Sequence, residues 1–364
     1  MDLVTIITPV YNGEKYLPRY FSQIKAISYK NLQIIVVNDG SKDKTSEIVK
    51  EYIETDKRIE FVDKETNEGV SCARNTGLKK AKGRFCFFFD CDDTFEPQIV
   101  EKCMEKVKSG TDTVCYNYAS VRRNGDVEEH ELSYPKSYYS KEEIAEQVLP
   151  NSFGTSIEDL KAYISGKRKM RQGKELNGPW RMMYSLEIIR RENIFFRKCL
   201  HIGEDTIFTN HYLALAETIY IIDEPLYYLH NNDGSAIETY NLDVKRMILG
   251  KLQLIKAKEE LSDELRTRDV DTYALWGGEY ILSSVQIGYL LAKDKTLSFT
   301  DKCNALKSYH LNPWVIKQWK RLEMKDIIYI RSIRAVPVFL LKINWITITE
   351  LMLILFCKMG FSIN

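Results

Sequence analysis

Residues 84–93 read RFCFFFDCDD. The stretch from Arg84 to Asp90 is continuously apolar and aromatic rather than alternating, which is the pattern of a strand buried on both faces. Asp90, Asp92 and Asp93 stand at its carboxyl end. Similar runs lie upstream. Leu3–Pro9 leads into Val10-Tyr11-Asn12-Gly13, and Leu32–Asn38 (LQIIVVN) leads into Asp39-Gly40-Ser41. Ile59–Val62 precedes Asn67-Glu68-Gly69, and Thr113–Ser120 is a further strand. Helical spacing fills the intervals Tyr16–Ile27, Thr45–Thr55 and Val70–Ala81. Near-continuous apolar strands alternating with helices predict an α/β fold with a mainly parallel sheet covered on both sides. Such sheets bind ligands beyond the carboxyl ends of their strands, so the polar residues after each strand are the candidates for chemistry.

Downstream the pattern loosens. Residues 121–180 are rich in charge and tyrosine, with helices expected over Lys141–Leu149 and Ile157–Ser165 and a basic loop over 166–173. A helix is expected over Asp205–Ala216 and a strand over Thr218–Ile222, followed by Asp223-Glu224-Pro225. Past Asn241 only helices are expected: Leu242–Leu261, Asp271–Leu291 and Thr300–Tyr309. The polar stretch around 235–242 marks a boundary, giving an N-terminal domain over residues 1–238 and a helical domain over 239–364.

Length agrees with that division, since 364 residues suggest about two domains at roughly 100–200 residues each. A net charge of +1 argues against a protein built to coat nucleic acid. The eight cysteines form no CxxC and read as incidental thiols of a reducing compartment. No basic segment followed by an apolar run opens the chain, so a secretory leader is not expected.

The strand-end residues define a chemistry. The Tyr11 ring can stack on a base, and the Asp39 carboxylate can accept an imide N–H of uracil or thymine. Asp90 and Asp92 point the same way from an extended segment. Their mutual repulsion calls for a compensating cation or hydrogen bond, and a hard divalent ion that also grips a diphosphate would resolve it. Each segment alone has a bland reading, because acidic clusters after strands commonly form turns or cap helices. A nicotinamide site fits worse, since no GxGxxG follows the first strand.

In combination these segments resemble the inverting glycosyltransferases of family 2, with the GT-A (Rossmann-like) nucleotide-sugar-binding fold. The matching pieces are Pro9-Val10-Tyr11-Asn12, Val37-Asn38-Asp39-Gly40-Ser41, Asn67-Glu68-Gly69 with Ala73-Arg74-Asn75, and Phe89-Asp90-Cys91-Asp92-Asp93. Gly203-Glu204-Asp205, Asp223-Glu224-Pro225-Leu226-Tyr227-Tyr228 and Gly234-Ser235 complete them. Asn38 departs from the aspartate more usual there.

The resemblance implies roles. Asp205 is the general base that takes the acceptor hydroxyl's proton. Pro9, Tyr11, Asp39, Asn67, Arg74, Asp90 and Ser235 hold the donor. Asp92 and His230 face a divalent cation, Mn²⁺ or Mg²⁺. Trp180 and Glu204 meet the sugar or the acceptor. The donor is a UDP-sugar or dTDP-sugar, and the acceptor a hydroxyl of a glycan or lipid-linked glycan in bacterial surface-polysaccharide synthesis. Two other readings stand beside this one: a silent nucleotide-sugar-binding subunit, and a transferase acting on polyprenyl phosphate.

From residue 317 onward Lys317, Lys320, Arg321, Lys325, Arg331, Arg334, Lys342 and Lys358 interleave with apolar runs. Lys342, Asn344 and Glu350 interrupt every window long enough to span a bilayer. Basic amphipathic helices of this kind predict in-plane contact with an anionic membrane, through Phe339, Trp345, Leu351 and Phe356. A cytoplasmic protein peripheral to the inner face of the cell membrane is therefore expected. The alternative is a packed helical subdomain or a homo-oligomer contact.

Overall fold

The computed structural model describes residues 1–107, 110–130, 132, 134–165, 167, 176–198, 200, 202–231, 244–323, 325, 336–344 and 346–358. The chain separates into two compact units. The first comprises Met1–Leu149, Glu175–Cys199 and Gly203–Ser235, and the second Pro150–Lys174, Leu200–Ile202 and Ala236–Asn364.

The first unit is organised on one sheet. Its strands are β1 (Val4–Val10), β2 (Leu32–Asp39), β3 (Ile59–Lys64), β4 (Phe85–Phe88), β5 (Thr94–Phe95), β6 (Thr113–Val121), β7 (Val127–Glu129), β8 (Tyr138–Ser140), β9 (Met182–Ser185) and β10 (Thr218–His230). The main order is β3-β2-β1-β4-β9-β6-β10-β5. Strands β3, β2, β1 and β4 run parallel, with Thr8 opposite Val36 and Asp39 opposite Lys64. Helices α1 (Leu17–Ala26), α2 (Thr45–Thr55) and α3 (Val70–Lys80) make the crossovers. Close packing of α3 on β1 depends on Gly77, where a Cβ would lie 2.3 Å from Ile7 Cγ2.

The periodicity missed β9, which joins β4 to β6 by antiparallel pairing on both sides. Four buried residues are too few to show a period. The strand expected to stop at Ile222 continues to His230, its register to β6 shifting on either side of Pro225. A proline cannot donate to the ladder, and a strand carrying one survives at such irregularities. This extension puts Tyr227, Tyr228 and His230 on the sheet rather than in a loop. Helices α4 (Ile99–Val107), preceding β6, and α6 (Leu186–Arg191), following β9, were likewise not anticipated. Cys72, Cys86, Cys91, Cys103 and Cys115 are buried, unbonded thiols.

The second unit is helical: α5 (Ile157–Ile164), α8 (Val244–Arg266), α9 (Gly277–Lys293), α10 (Phe299–His310), α11 (Pro313–Lys320), α12 (Val336–Lys342) and α13 (Ile346–Lys358). Helix α9 lies at its centre, burying Ile281, Ile287 and Leu291 among Leu306, Leu341 and Leu353. Buried Lys258 donates to Glu279 Oε2 (2.8 Å) and to the Phe153 carbonyl (2.7 Å).

The basic residues read as membrane-facing are partly engaged within this unit. Lys317 pairs with Glu259, Lys325 with Glu323, and Lys342 donates to the Trp319 carbonyl. Ile348, Leu351 and Leu355 of α13 stay exposed, while Phe339 is half-buried. Trp345, Arg331, Arg334 and the Phe356 side chain lie outside the described residues. Among the described residues, no helix is long and apolar enough to cross a membrane.

Candidate active site

The loops after β1 and β2 are laced together, which shapes the first wall of the site. Asn12 adopts a left-handed backbone (φ 52°). Its N–H donates to Ser41 Oγ (2.8 Å) and its Oδ1 accepts from Lys42 N (2.9 Å). Gly13 N donates to Thr45 Oγ1 (2.8 Å). This leaves the Tyr11 ring half exposed, at 51%, beside half-buried Pro9. Asn38 explains its own departure from aspartate. It donates to Asp63 Oδ1 (2.7 Å) and accepts from Ser41 N (3.1 Å), whereas a second carboxylate would face Asp63 with like charge. Gly40 (φ 71°) passes so close to the next loop that a Cβ would lie 2.5 Å from the Thr66 carbonyl carbon.

Asp39 is buried. Lys64 reaches Asp39 Oδ1 from the adjacent strand, and the Gly69 and Glu68 amides donate to the carboxylate at 2.7 and 3.2 Å. Lys64 also pairs with Glu68 at 2.7 Å. Asn67 is exposed and braces the same loop, accepting from Gly69 N (3.1 Å). Sequence reasoning did not single out Lys64, because its placement opposite Asp39 follows from strand register, which no motif encodes.

Arg74 joins the two acidic segments. Its guanidinium is buried, 3.2 Å from Asp90 Oδ1 and 3.5 Å from Glu204 Oε1, with the Phe196 ring 5.3 Å away. Burial works against its charge, but Asp90, Glu204 and Asp205 outweigh that effect and raise its pKa. The neighbouring Asn75 explains the Ala-Arg-Asn spacing, since it exchanges hydrogen bonds with the Phe196 backbone at 2.8 and 2.9 Å and so locks α3 in place. Phe196 and Asn75 were not anticipated as site-forming residues.

Glu204 and Asp205 open α7 (Glu204–Leu215) after Gly203, whose φ of 81° sets the turn. Asp205 Oδ1 accepts from Thr206 N (2.6 Å). The Glu204 carboxyl is pushed up to about 7, first by burial and then by Asp205, with Arg74 opposing.

Asp90, Asp92 and Asp93 divide their tasks. Asp90 contacts Arg74, and the Asp92 carbonyl accepts from Arg19. Asp93 is buried and accepts from Tyr227 Oη (2.9 Å) and His230 N (2.8 Å). Burial, followed by Asp90 and Asp92, drives its pKa well above the usual carboxylate range. Asp93 is thus committed to the protein's interior, and Asp90 and Asp92 are the acids of the turn that a cation could meet. No cluster of three or more His, Cys, Asp or Glu side chains suited to a metal occurs among the described residues. One or two carboxylates here would suit only an ion that takes most of its ligands from phosphate and water, as Mg²⁺ commonly does. His230 Nε2 is bonded to Thr94 Oγ1 (2.9 Å), so a contact from this ring to a cation or phosphate would use Nδ1. Trp180 is half-buried, stacked on Tyr227 at 4.8 Å and met edge-on by Tyr118 at 4.9 Å. Ser235 lies outside the described residues.

A mixed sheet with a parallel β3-β2-β1-β4 half and acidic segments at its carboxyl ends has the architecture of the GT-A class. The chain belongs to glycosyl transferase family 2, whose model matches residues 5–199. It is 33% identical over 236 residues, 64% of its length, to glycosyltransferase GlyA of Streptococcus pneumoniae serotype 4, of which it spans 31%. It is 28% identical over 242 residues, 65% of its length, to the uncharacterized glycosyltransferase EpsJ of Bacillus subtilis, of which it spans 64%. Among solved structures, residues 1–349 of S. aureus TarS in complex with UDP-GlcNAc superpose with a TM-score of 0.57 at 16% identity. That match covers 99% of this chain and 92% of the TarS chain. It shows the shared fold: a GT-A domain followed by a helical region.

Proposed function

We propose that this glycosyltransferase moves a hexose or N-acetylhexosamine from a UDP-sugar or dTDP-sugar to a hydroxyl of a glycan or lipid-linked acceptor. The transfer inverts the anomeric centre and serves bacterial surface-polysaccharide synthesis. The observation that carries this reading is the Arg74 bridge between Asp90 and Glu204, which joins a leaving-group segment to the segment bearing Asp205. Support for the nucleotide comes from Tyr11, an exposed ring, beside Asp39, an oriented acceptor. The TarS structures hold UDP-GlcNAc or UDP.

In the proposed reaction Asp205 accepts the acceptor hydroxyl's proton as that oxygen attacks the anomeric carbon. The Glu204 carboxyl, next to Asp205, orients a sugar hydroxyl, and Arg74 balances charge on the diphosphate side. A divalent cation held through Asp92, with Asp90 and His230 nearby, would supply charge neutralisation to the leaving diphosphate. We place the catalytic domain at 1–238 and the helical domain at 239–364. The exposed face of α13, Ile348, Leu351 and Leu355, is the proposed point of membrane contact.

The test is a panel of UDP-, dTDP- and GDP-sugars incubated with the full chain and Mn²⁺, followed by NMR of the released or transferred sugar. Uridine or thymidine donors should turn over with inversion. A preference for GDP-sugars, or retention of configuration, would contradict the reading.

A further inference from the structure

We propose that Tyr227 and Asp93 are positioning residues for the acidic turn. They fix the Asp90 and Asp92 carboxylates for a divalent cation and a nucleoside diphosphate before either arrives. The inference rests on the metal-assisted nucleotide-sugar reading above and adds to it two residues that touch neither ligand.

The Tyr227 hydroxyl uses both of its hydrogen-bonding capacities on the turn. It donates to Asp93 Oδ2 (2.9 Å) and accepts from Asp90 N (3.1 Å). Asp93 Oδ1 accepts from His230 N (2.8 Å), three residues further along β10. Thr94 closes the clasp through His230 Nε2 (2.9 Å), and β5 pairs antiparallel with β10 at Tyr227 and Tyr228. The Tyr227 ring is itself immobilised, stacked on Trp180 at 4.8 Å and tilted against Phe89 at 5.8 Å. Both Tyr227 and Asp93 are buried, at 0% and 2% exposure.

The choice of groups has a physical reason. Three aspartates within four residues repel one another, and the turn would splay without restraint. Arg74 already sets one positive charge against Asp90. A neutral phenol and a backbone amide hold the rest of the turn without adding a second, which keeps carboxylate charge available to a cation. Groups that orient ligating carboxylates in this way typically alter metal affinity or activity by about 10–100-fold when removed.

The experiment titrates UDP into the full chain by calorimetry, once with Mn²⁺ and once with EDTA, for wild type, Tyr227→Phe and Asp93→Asn. The Mn²⁺ EPR spectrum of each ternary complex is recorded alongside. Wild type should bind UDP more tightly with Mn²⁺. In Tyr227→Phe, which keeps the ring stack, the metal-dependent gain should shrink by roughly tenfold and the EPR spectrum should change. Affinity in EDTA should stay within about twofold. A gain equal to wild type in Tyr227→Phe, or equal losses with and without metal, would overturn the proposal. If thermal melts show Tyr227→Phe unfolded, Asp93→Asn decides by the same criterion: it keeps an acceptor for Tyr227 but turns an amide toward the His230 N–H. Absence of any Mn²⁺ effect in wild type would overturn both the metal reading and this inference. A wild-type effect with indifferent variants would overturn this inference alone.

Discussion

The strand-end site of the first unit and the helical interior of the second both bury acids, but surround them differently. Buried Asp39 meets Lys64 and two amides, Arg74 meets Asp90 and Glu204, and Asp93 meets Tyr227 and His230. In the helical unit Glu350 is 0% exposed, and neither of its oxygens has a hydrogen-bond partner among the described residues. Burial pushes its carboxyl up to about 7, with Lys302 opposing. The close approach of α13 to α9 there depends on Gly288, where a Cβ would lie 2.7 Å from Leu353 Cδ1. The contrast separates acids held by named polar partners, among them Lys64, Arg74, Tyr227 and backbone amides, from an acid buried without a hydrogen-bond partner among the described residues.

The comparison can be broken from either side. The largest effect belongs to Asp92→Ala. Loss of a metal ligand removes several kcal/mol of leaving-group stabilisation, so transfer should fall about a thousandfold and lose its dependence on Mn²⁺. Full activity in a chelator would contradict the assignment. Next comes Glu350→Gln. With a folded-state pKa near 7 against an ordinary 4.5, the folded chain binds more protons than the unfolded one between those values. Glu350's contribution to stability is therefore fully present below pH 4.5 and declines as pH rises toward 7, by at most about 3 kcal/mol. Melts should show Glu350→Gln stabilised at pH 8 and near wild type at pH 5. An advantage equal at both pH values would refute the neutral-carboxyl account.

Lys64→Met should weaken UDP binding about tenfold by leaving Asp39 without its cation, as read by calorimetry; unchanged affinity would make the pair a fold element only. The smallest effect concerns α13. Replacing Ile348, Leu351 and Leu355 together with glutamine should reduce flotation with anionic vesicles at low salt. Equal recovery of variant and wild type in the soluble fraction would favour the packed-subdomain reading.

The parallel half of the sheet was legible because its runs are long and apolar, and because the polar residues fall at strand ends. The segments around Asp39, Arg74, Asp90 and Glu204 could be read for the same reason, and the structure brings Arg74 together with Asp90 and Glu204. Strand β9 was invisible at four residues, and β10 was cut short because Pro225 mimics a stop signal. Lys64 was missed because its place opposite Asp39 comes from strand register, and Tyr227 and Phe196 because their contacts join residues more than a hundred positions apart, as in the Tyr227–Asp93 bond. The tail's charge count could not show that Lys317, Lys325 and Lys342 have partners within the protein.

The central claim is that the acids opening α7 perform chemistry while the strand-end loops bind the donor. Asp205→Asn tests it most directly, with UDP-sugar binding and transfer measured side by side on the same preparation. The account predicts unchanged donor affinity and transfer reduced roughly 10²-fold or more, the scale of a lost general base. Weakened donor binding with an unchanged turnover rate would contradict it and make Asp205 a binding residue.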